Sequence, residues 1–189
     1  KGALNFVNGT ADTFSVFRTM PFWNTNTSMS DSLGELLFYT NGIYLANANH
    51  DTLLNSDNFN PGSATTNNLF NGLNIAQGIC ILPYPNSDSL FIIFHESGEN
   101  FVVNSFLEQQ PFYLRYSMID ISLDNGLGGI ISNKKGLIII ADTLVTGKIA
   151  ACRHGNGRDW WVLTHKYDSD VFYRILITPD TISVDSQQI

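Results

Sequence analysis

Asn86-Ser87-Asp88-Ser89-Leu90-Phe91-Ile92-Ile93-Phe94-His95 lies, 70 residues upstream, over Asn156-Gly157-Arg158-Asp159-Trp160-Trp161-Val162-Leu163-Thr164-His165. Each phrase is a turn followed by a very apolar strand. A shorter copy, Gly34-Glu35-Leu36-Leu37-Phe38-Tyr39-Thr40, precedes Asp88–Phe94 by 54 residues. In the last two copies an apolar strand leads into the turn (Ile79–Tyr84, Ile149–Arg153) and another follows (Tyr113–Ile121, Val171–Thr178). Units of three or four antiparallel strands that recur along a chain describe stacked blades, because one such sheet cannot bury both of its faces alone. The fold expected is therefore all-β and β-propeller-like. Three antiparallel blades, approximately 1–74, 75–145 and 146–189, would form an open arc of a larger propeller. A β-sandwich is the alternative, although it has no need of the same phrase at equivalent points.

The rest of the chain agrees with strands. Further runs read as β at Phe14–Thr19, Leu36–Thr40, Ile43–Ala48, Gly78–Tyr84, Leu90–Glu96, Leu137–Ala141, Lys148–His154, Trp160–Lys166 and Thr181–Val184, and helical periodicity is nearly absent. Asn-Gly occurs at 8–9, 41–42, 71–72, 125–126 and 156–157. This pair fits the type I′ hairpin turn, whose two central residues both need positive φ. Asn55–Asn74 reads as one long loop, and Ser97–Gln110 as a second insertion.

Composition excludes several classes. Apolar residues make up 43% of 189 residues, enough for a core, while charged residues are only 14%. Neutral groups must cover the surface: 20 Asn, 16 Ser and 14 Thr. The net charge of −7 argues against nucleic acid, since nothing would displace counterions from phosphates. No apolar run is long enough for a membrane helix. The chain opens on Lys1 with no signal peptide and no initiating Met, and is expected to be a piece of a longer polypeptide. Two cysteines, Cys80 and Cys152, rule out a disulfide scaffold; their apolar surroundings predict buried free thiols, with a disulfide as the alternative.

Several phrases are similar to the N-terminal repeat domain of large secreted Bacteroidota proteins that carry a type IX secretion sorting domain. They are Gly2–Gly9, Asp31–Tyr44, Asn47–His50, Tyr116–Gly128 and His154–Trp161, in collinear order. The resemblance implies a β-propeller-like domain exported to the cell surface or medium. It supplies no catalytic residues, and the sorting domain and later blades are not in this chain.

Candidate chemistry is sparse. His95-Glu96-Ser97-Gly98-Glu99 lacks the second His of a zinc helix. Asp120-Ile121-Ser122-Leu123-Asp124-Asn125-Gly126 has alternating oxygens, but its Gly is seventh and no Glu stands twelfth, so a hairpin turn explains it better than calcium. His154 and Asp159 flank a turn and are expected to lock it. Of Trp160 and Trp161, which point to opposite faces, one should be core. The four Glu (Glu35, Glu96, Glu99, Glu108) lie in or beside loops. No catalytic, cofactor or metal residue is therefore expected.

Eight of thirteen Asp are followed by Ser or Thr. In five cases an aliphatic residue comes next, which makes Ser32, Thr52, Ser89, Thr143 and Thr181 candidate O-glycosylation acceptors. The pattern is similar to the acceptor of exported Bacteroidota proteins; local side-chain turns before strands explain the same letters. The function expected is a non-enzymatic extracellular or cell-surface module for binding, adhesion or structural assembly. Its partners would be the remaining blades and domains of its parent chain and an extracellular protein or glycan. A secreted carbohydrate-active hydrolase and a ligand-sensing ectodomain are the alternatives.

Overall fold

The computed structural model describes residues 2–6, 9–15, 17–103 and 105–188. The chain is all-β with almost no helix; it forms several antiparallel sheets, and no closed propeller is found. An N-terminal hairpin, β1 (Gly2–Asn5) and β2 (Asp12–Ser15), forms a sheet of its own. The first large meander is β3 (Thr27–Ser30), β4 (Leu36–Thr40) and β5 (Leu45–Asn47), with a bridge from Ala46 to Thr52 at its end. A short helix, α1 (Ser63–Asn67), follows.

The second sheet runs β6 (Ile79–Pro83), β7 (Leu90–Glu96), then across an inserted hairpin, β8 (Glu99–Val103) and β9 (Phe106–Gln110), to β10 (Tyr113–Asp120). The far edge of β10 is shared by β11 (Gly129–Ile130) and β12 (Leu137–Ala141). The third sheet is an unbroken meander of β13 (Ala150–Arg153), β14 (Trp160–His165), β15 (Val171–Ile177) and β16 (Ile182–Gln188). The three copies of the repeated phrase thus fall on β4, β7 and β14, the second strand of each successive sheet. β7 and β14 lie in different sheets and do not pair.

The sheets stack face to face, which explains why β7 is apolar from Leu90 to Phe94 and does not alternate. Phe91 and Ile93 pack with Phe38, Leu45, Leu53 and Phe59 on the side of the first sheet. Ile92 and Phe94 pack with Leu114, Val162, Ile175 and Ile177 on the side of the third. Each of these side chains contributes about 1.5–3 kcal/mol by leaving water. The first sheet's other face is covered by its own lead-in segment, where Met20 is buried against Tyr39 and Ala46, and the Arg18 guanidinium lies 4.8 Å from the Phe22 ring.

The repeat holds in strand order but not in facing. Phe38 faces the second sheet as Ile92, its counterpart at offset 54, faces the third. At offset 70, however, Ile92 and Val162 face one another. A slip of one residue sends every side chain of a strand to the opposite face. The hairpin loops differ by that amount: Tyr84 pairs with Leu90 across five residues, and His154 with Asp159 across four.

Other expectations need correction. None of the Asn-Gly pairs forms a two-residue type I′ turn among the described residues; Asn8 lies outside them. At Asn41 and Asn156 the side-chain oxygen instead accepts backbone N–H groups two or three residues on, and only the glycine has positive φ. Asn125 and Gly126 both have positive φ, but inside an eight-residue connection from β10 to β11. Asn55–Asn74 is no surface loop: Phe59, Asn60, Ala64 and Leu73 are fully buried.

Candidate functional surface

The His95–Glu99 phrase sits where β7 ends, and its side chains are used to tie segments together. His95 is fully buried, with its ring edge-on to Phe59. Asn60 donates from Nδ2 to the carbonyls of Gly42 and Glu96, so its Oδ1 is left to accept from His95 Nδ1 at 3.0 Å. Nε2 therefore accepts the Ser117 hydroxyl, which itself accepts the Gly136 N–H. Burial, aided by the nearby Arg115 charge, pulls the imidazole down to about 3, so it is neutral. Both ring nitrogens are occupied, which leaves no lone pair for a metal.

Glu96 points to the other side of β7 and is equally buried. Its Oε2 accepts the Gly147 N–H at 2.7 Å, while Oε1 has no partner. Burial pushes the carboxyl up to about 7, against the pull of the Gly147 and Lys148 N–H groups. Gly147 itself is pinned: its φ is +70°, and a Cβ there would lie 1.9 Å from the Ala76 carbonyl oxygen. Ser97 Oγ accepts the N–H groups of Phe112 and Tyr113. Glu99 Oε2 takes the Ser63 N–H and hydroxyl at the start of α1. An acid beside an imidazole is thus present in sequence, yet the two side chains point to opposite faces of one strand and neither reaches solvent.

The other candidates are also accounted for locally. Burial raises the Asp120 carboxyl, but hydrogen bonds from Ser122 and Ser89 outweigh it and hold the group below its usual range. No cluster of three metal-ligating side chains occurs among the described residues. Asp159 is clamped by Arg158 at 2.6 Å and by Asn156 at 2.7 Å, and His154 Nδ1 accepts the Asn156 N–H. These contacts fix the turn between β13 and β14. Of the acceptor candidates, Ser32, Thr52 and Thr181 are exposed, while Ser89 and Thr143 are half-buried.

What remains accessible is apolar surface. Trp160 packs between the second and third sheets and donates from Nε1 to the Pro83 carbonyl. Trp161 faces outward under the Arg174 guanidinium, on the same side as Leu163, which is 36% exposed. Beside them a shallow apolar groove is lined by Val145, Ala150, Leu163, His165 and Phe172, with His165 stacked on Phe172 at 4.3 Å. The third sheet therefore carries an open apolar face where the second has none. Trp23 and Phe70 are also exposed, at 51% and 90%. The cysteines follow the same division: both are free, Cys80 is half-buried, and Cys152 is exposed on the open face opposite Trp161. Burial of both thiols, the sequence expectation, fails at Cys152 because none of the described residues covers that face.

Sequence reasoning placed His95 and Glu96 at a strand end but missed Asn60, Ser117 and Gly147, which come from 22 to 51 residues away. No local pattern marks them. Comparison of the chain with models of known families, with curated proteins and with solved structures finds no match.

Proposed function

We propose that this chain is a β-propeller-like segment of a longer exported polypeptide, and that it serves as a non-enzymatic extracellular or cell-surface module for binding, adhesion or structural assembly. The observation that carries the reading is the sequence of stacked meanders with an apolar face left open at one end, displaying Trp161, Leu163 and Phe172. A stack that ends on such a face is built to be continued or covered, by a further sheet of the parent chain or by an extracellular protein or glycan. Aromatic side chains of this kind serve either. The reversed facing of the third sheet makes this an irregular arc, in which the repeat sets strand order alone.

The sequence resemblance to exported Bacteroidota proteins supports the location. Low charge and an amide- and hydroxyl-rich surface agree with it. The hydrolase reading has less support, because the one carboxyl strongly raised by burial, Glu96, is closed off from any substrate. The test is protease treatment of intact producing cells, followed by intact-mass measurement of the released full-length protein. Digestion from outside, with mass added at Ser32, Thr52 or Thr181, supports the reading. Full protection behind an intact membrane contradicts it.

A further inference from the structure

The outermost strand of the third sheet, β16, is an unguarded edge. Its seven residues pair without a bulge to β15, and no strand pairs with its other side among the described residues. Sheet edges are normally blunted by brevity, proline, lysine or bulges. The other edges of the three large sheets are shorter or interrupted: β12 is bulged, β3 and β13 have four residues each, and β6 ends on Pro83. β16 has none of these devices, and its residues from Ser183 to Gln188 are exposed.

The direction of its backbone groups follows from two hydrogen bonds. Lys166 donates to the Val171 carbonyl, and Thr178 to the Thr181 carbonyl. Alternation along an antiparallel ladder then turns residues 171, 173, 175 and 177 toward β14, and 172, 174 and 176 toward β16. On β16, Ser183, Asp185 and Gln187 face β15. Ile182, Val184, Ser186 and Gln188 turn their N–H and C=O groups to the free edge. The Ser186 N–H is met there by its own neighbour's carboxylate, at 2.9 Å from Asp185 Oδ1, and strand pairing at this edge exchanges that bond for a carbonyl.

We propose that β16 pairs antiparallel with β16 of a second copy of this chain, joining two third sheets into one continuous sheet about a two-fold axis at Val184. Charge favours a second copy in this register. The only charge on the strand, Asp185, is already paired with Arg174 at 2.8 Å. With Val184 opposite Val184, Asp185 comes to lie opposite the Ser183 hydroxyl of the other copy, and Ile182 opposite Ser186. Moving the axis one residue along, to Asp185, sets the two Asp185 carboxylates against each other, which like-charge pairs disfavour. Val184 is 41% exposed and supplies an apolar contact at the axis. Each copy carries −7, so salt strengthens the pairing by screening.

The experiment is sedimentation of the chain from micromolar to millimolar concentration, at low and moderate salt, for wild type, Val184→Pro, Val184→Lys and Ser183→Pro. Val184→Pro removes an N–H that faces the edge and leaves the bonds to β15 intact. It is expected to keep the wild-type far-ultraviolet spectrum and melting midpoint while weakening dimerisation roughly ten- to hundredfold. Val184→Lys, placing two like charges at the axis, gives the same result without touching the backbone. Ser183→Pro loses a bond to β15 and melts lower, which confirms the assigned directions. A wild type that stays monomeric throughout overturns the proposal, as does a folded Val184→Pro that dimerises as readily as wild type.

Discussion

His95 and Glu96 are adjacent in sequence and buried on opposite sides of β7, and they impose opposite pH dependences on stability. The Glu96 carboxyl rises from 4.5 to about 7 on folding, because burial penalises the carboxylate. Its contribution is fully present below 4.5 and is lost as pH rises through 7. The His95 imidazole falls from 6.5 to about 3, because burial penalises the imidazolium. Its contribution is fully present above 6.5 and is lost as pH falls toward 3. Each changes stability by about 1.4 kcal/mol per pH unit inside its window, with opposite sign. Between about pH 4.5 and 6.5 the two slopes cancel, and these residues leave the wild type flat. The carboxyls of Asp120, Asp142 and Asp159 are all held below their usual value, so their windows close below this range. Glu96→Gln keeps an acceptor for the Gly147 N–H and removes one slope. Its stability should then climb by about 3 kcal/mol from pH 4.5 to 6.5. His95→Gln should instead lose about 3 kcal/mol over that interval. Urea unfolding at half-unit pH steps measures both. A Glu96→Gln profile parallel to wild type would refute the assignment of Glu96 as a buried group that folding keeps protonated.

Two further substitutions probe the packing. Phe94→Ala, between the second and third sheets, should lower unfolding free energy by about 3–5 kcal/mol, while Leu163→Ala on the open face loses less than about 1 kcal/mol; urea unfolding compares them directly. Gly147→Ala meets both a positive φ and the Ala76 carbonyl, so it should lower the melting temperature sharply; a Glu96 deprived of the N–H groups that hold its carboxyl down should carry its pH response to higher pH.

Strand positions were legible wherever an apolar run had an apolar partner. β4, β7 and β12 fall on the residues the pattern indicates, and β6, β10, β14 and β15 differ by one residue at one or both ends, whereas the strand expected at Phe14–Thr19 lies at Asp12–Ser15. β3 (Thr27–Ser30) was not legible, because it is polar at three of four positions and is held by pairing with β4 rather than by burial. The inserted hairpin β8–β9 and the short β11 escaped for the same reason: pairing and not local pattern makes them strands. Facing was illegible for a different reason. The repeat phrase fixes which strand a segment becomes, but one residue more or less in a hairpin loop decides which side its residues present. The buried polar network was half visible. His95, Glu96 and Ser97 stand together in the sequence, whereas Asn60 and Ser117 are polar residues whose partners only tertiary folding supplies.

The arrangement of the three sheets is tested most directly by the two thiols, one on each face of the division. Cys80 packs where the second sheet meets the third, and burial pushes its thiol up to about 11. That two-unit rise alone cuts the reactive thiolate about a hundredfold. Cys152 lies exposed on the open face of the third sheet. In the folded chain, maleimide labelling followed by peptide mapping should modify Cys152 rapidly and Cys80 at least roughly a hundredfold more slowly, with the difference abolished in urea. Equal rates at the two cysteines with the fold intact would contradict a second sheet closed on both faces and a third sheet open on one.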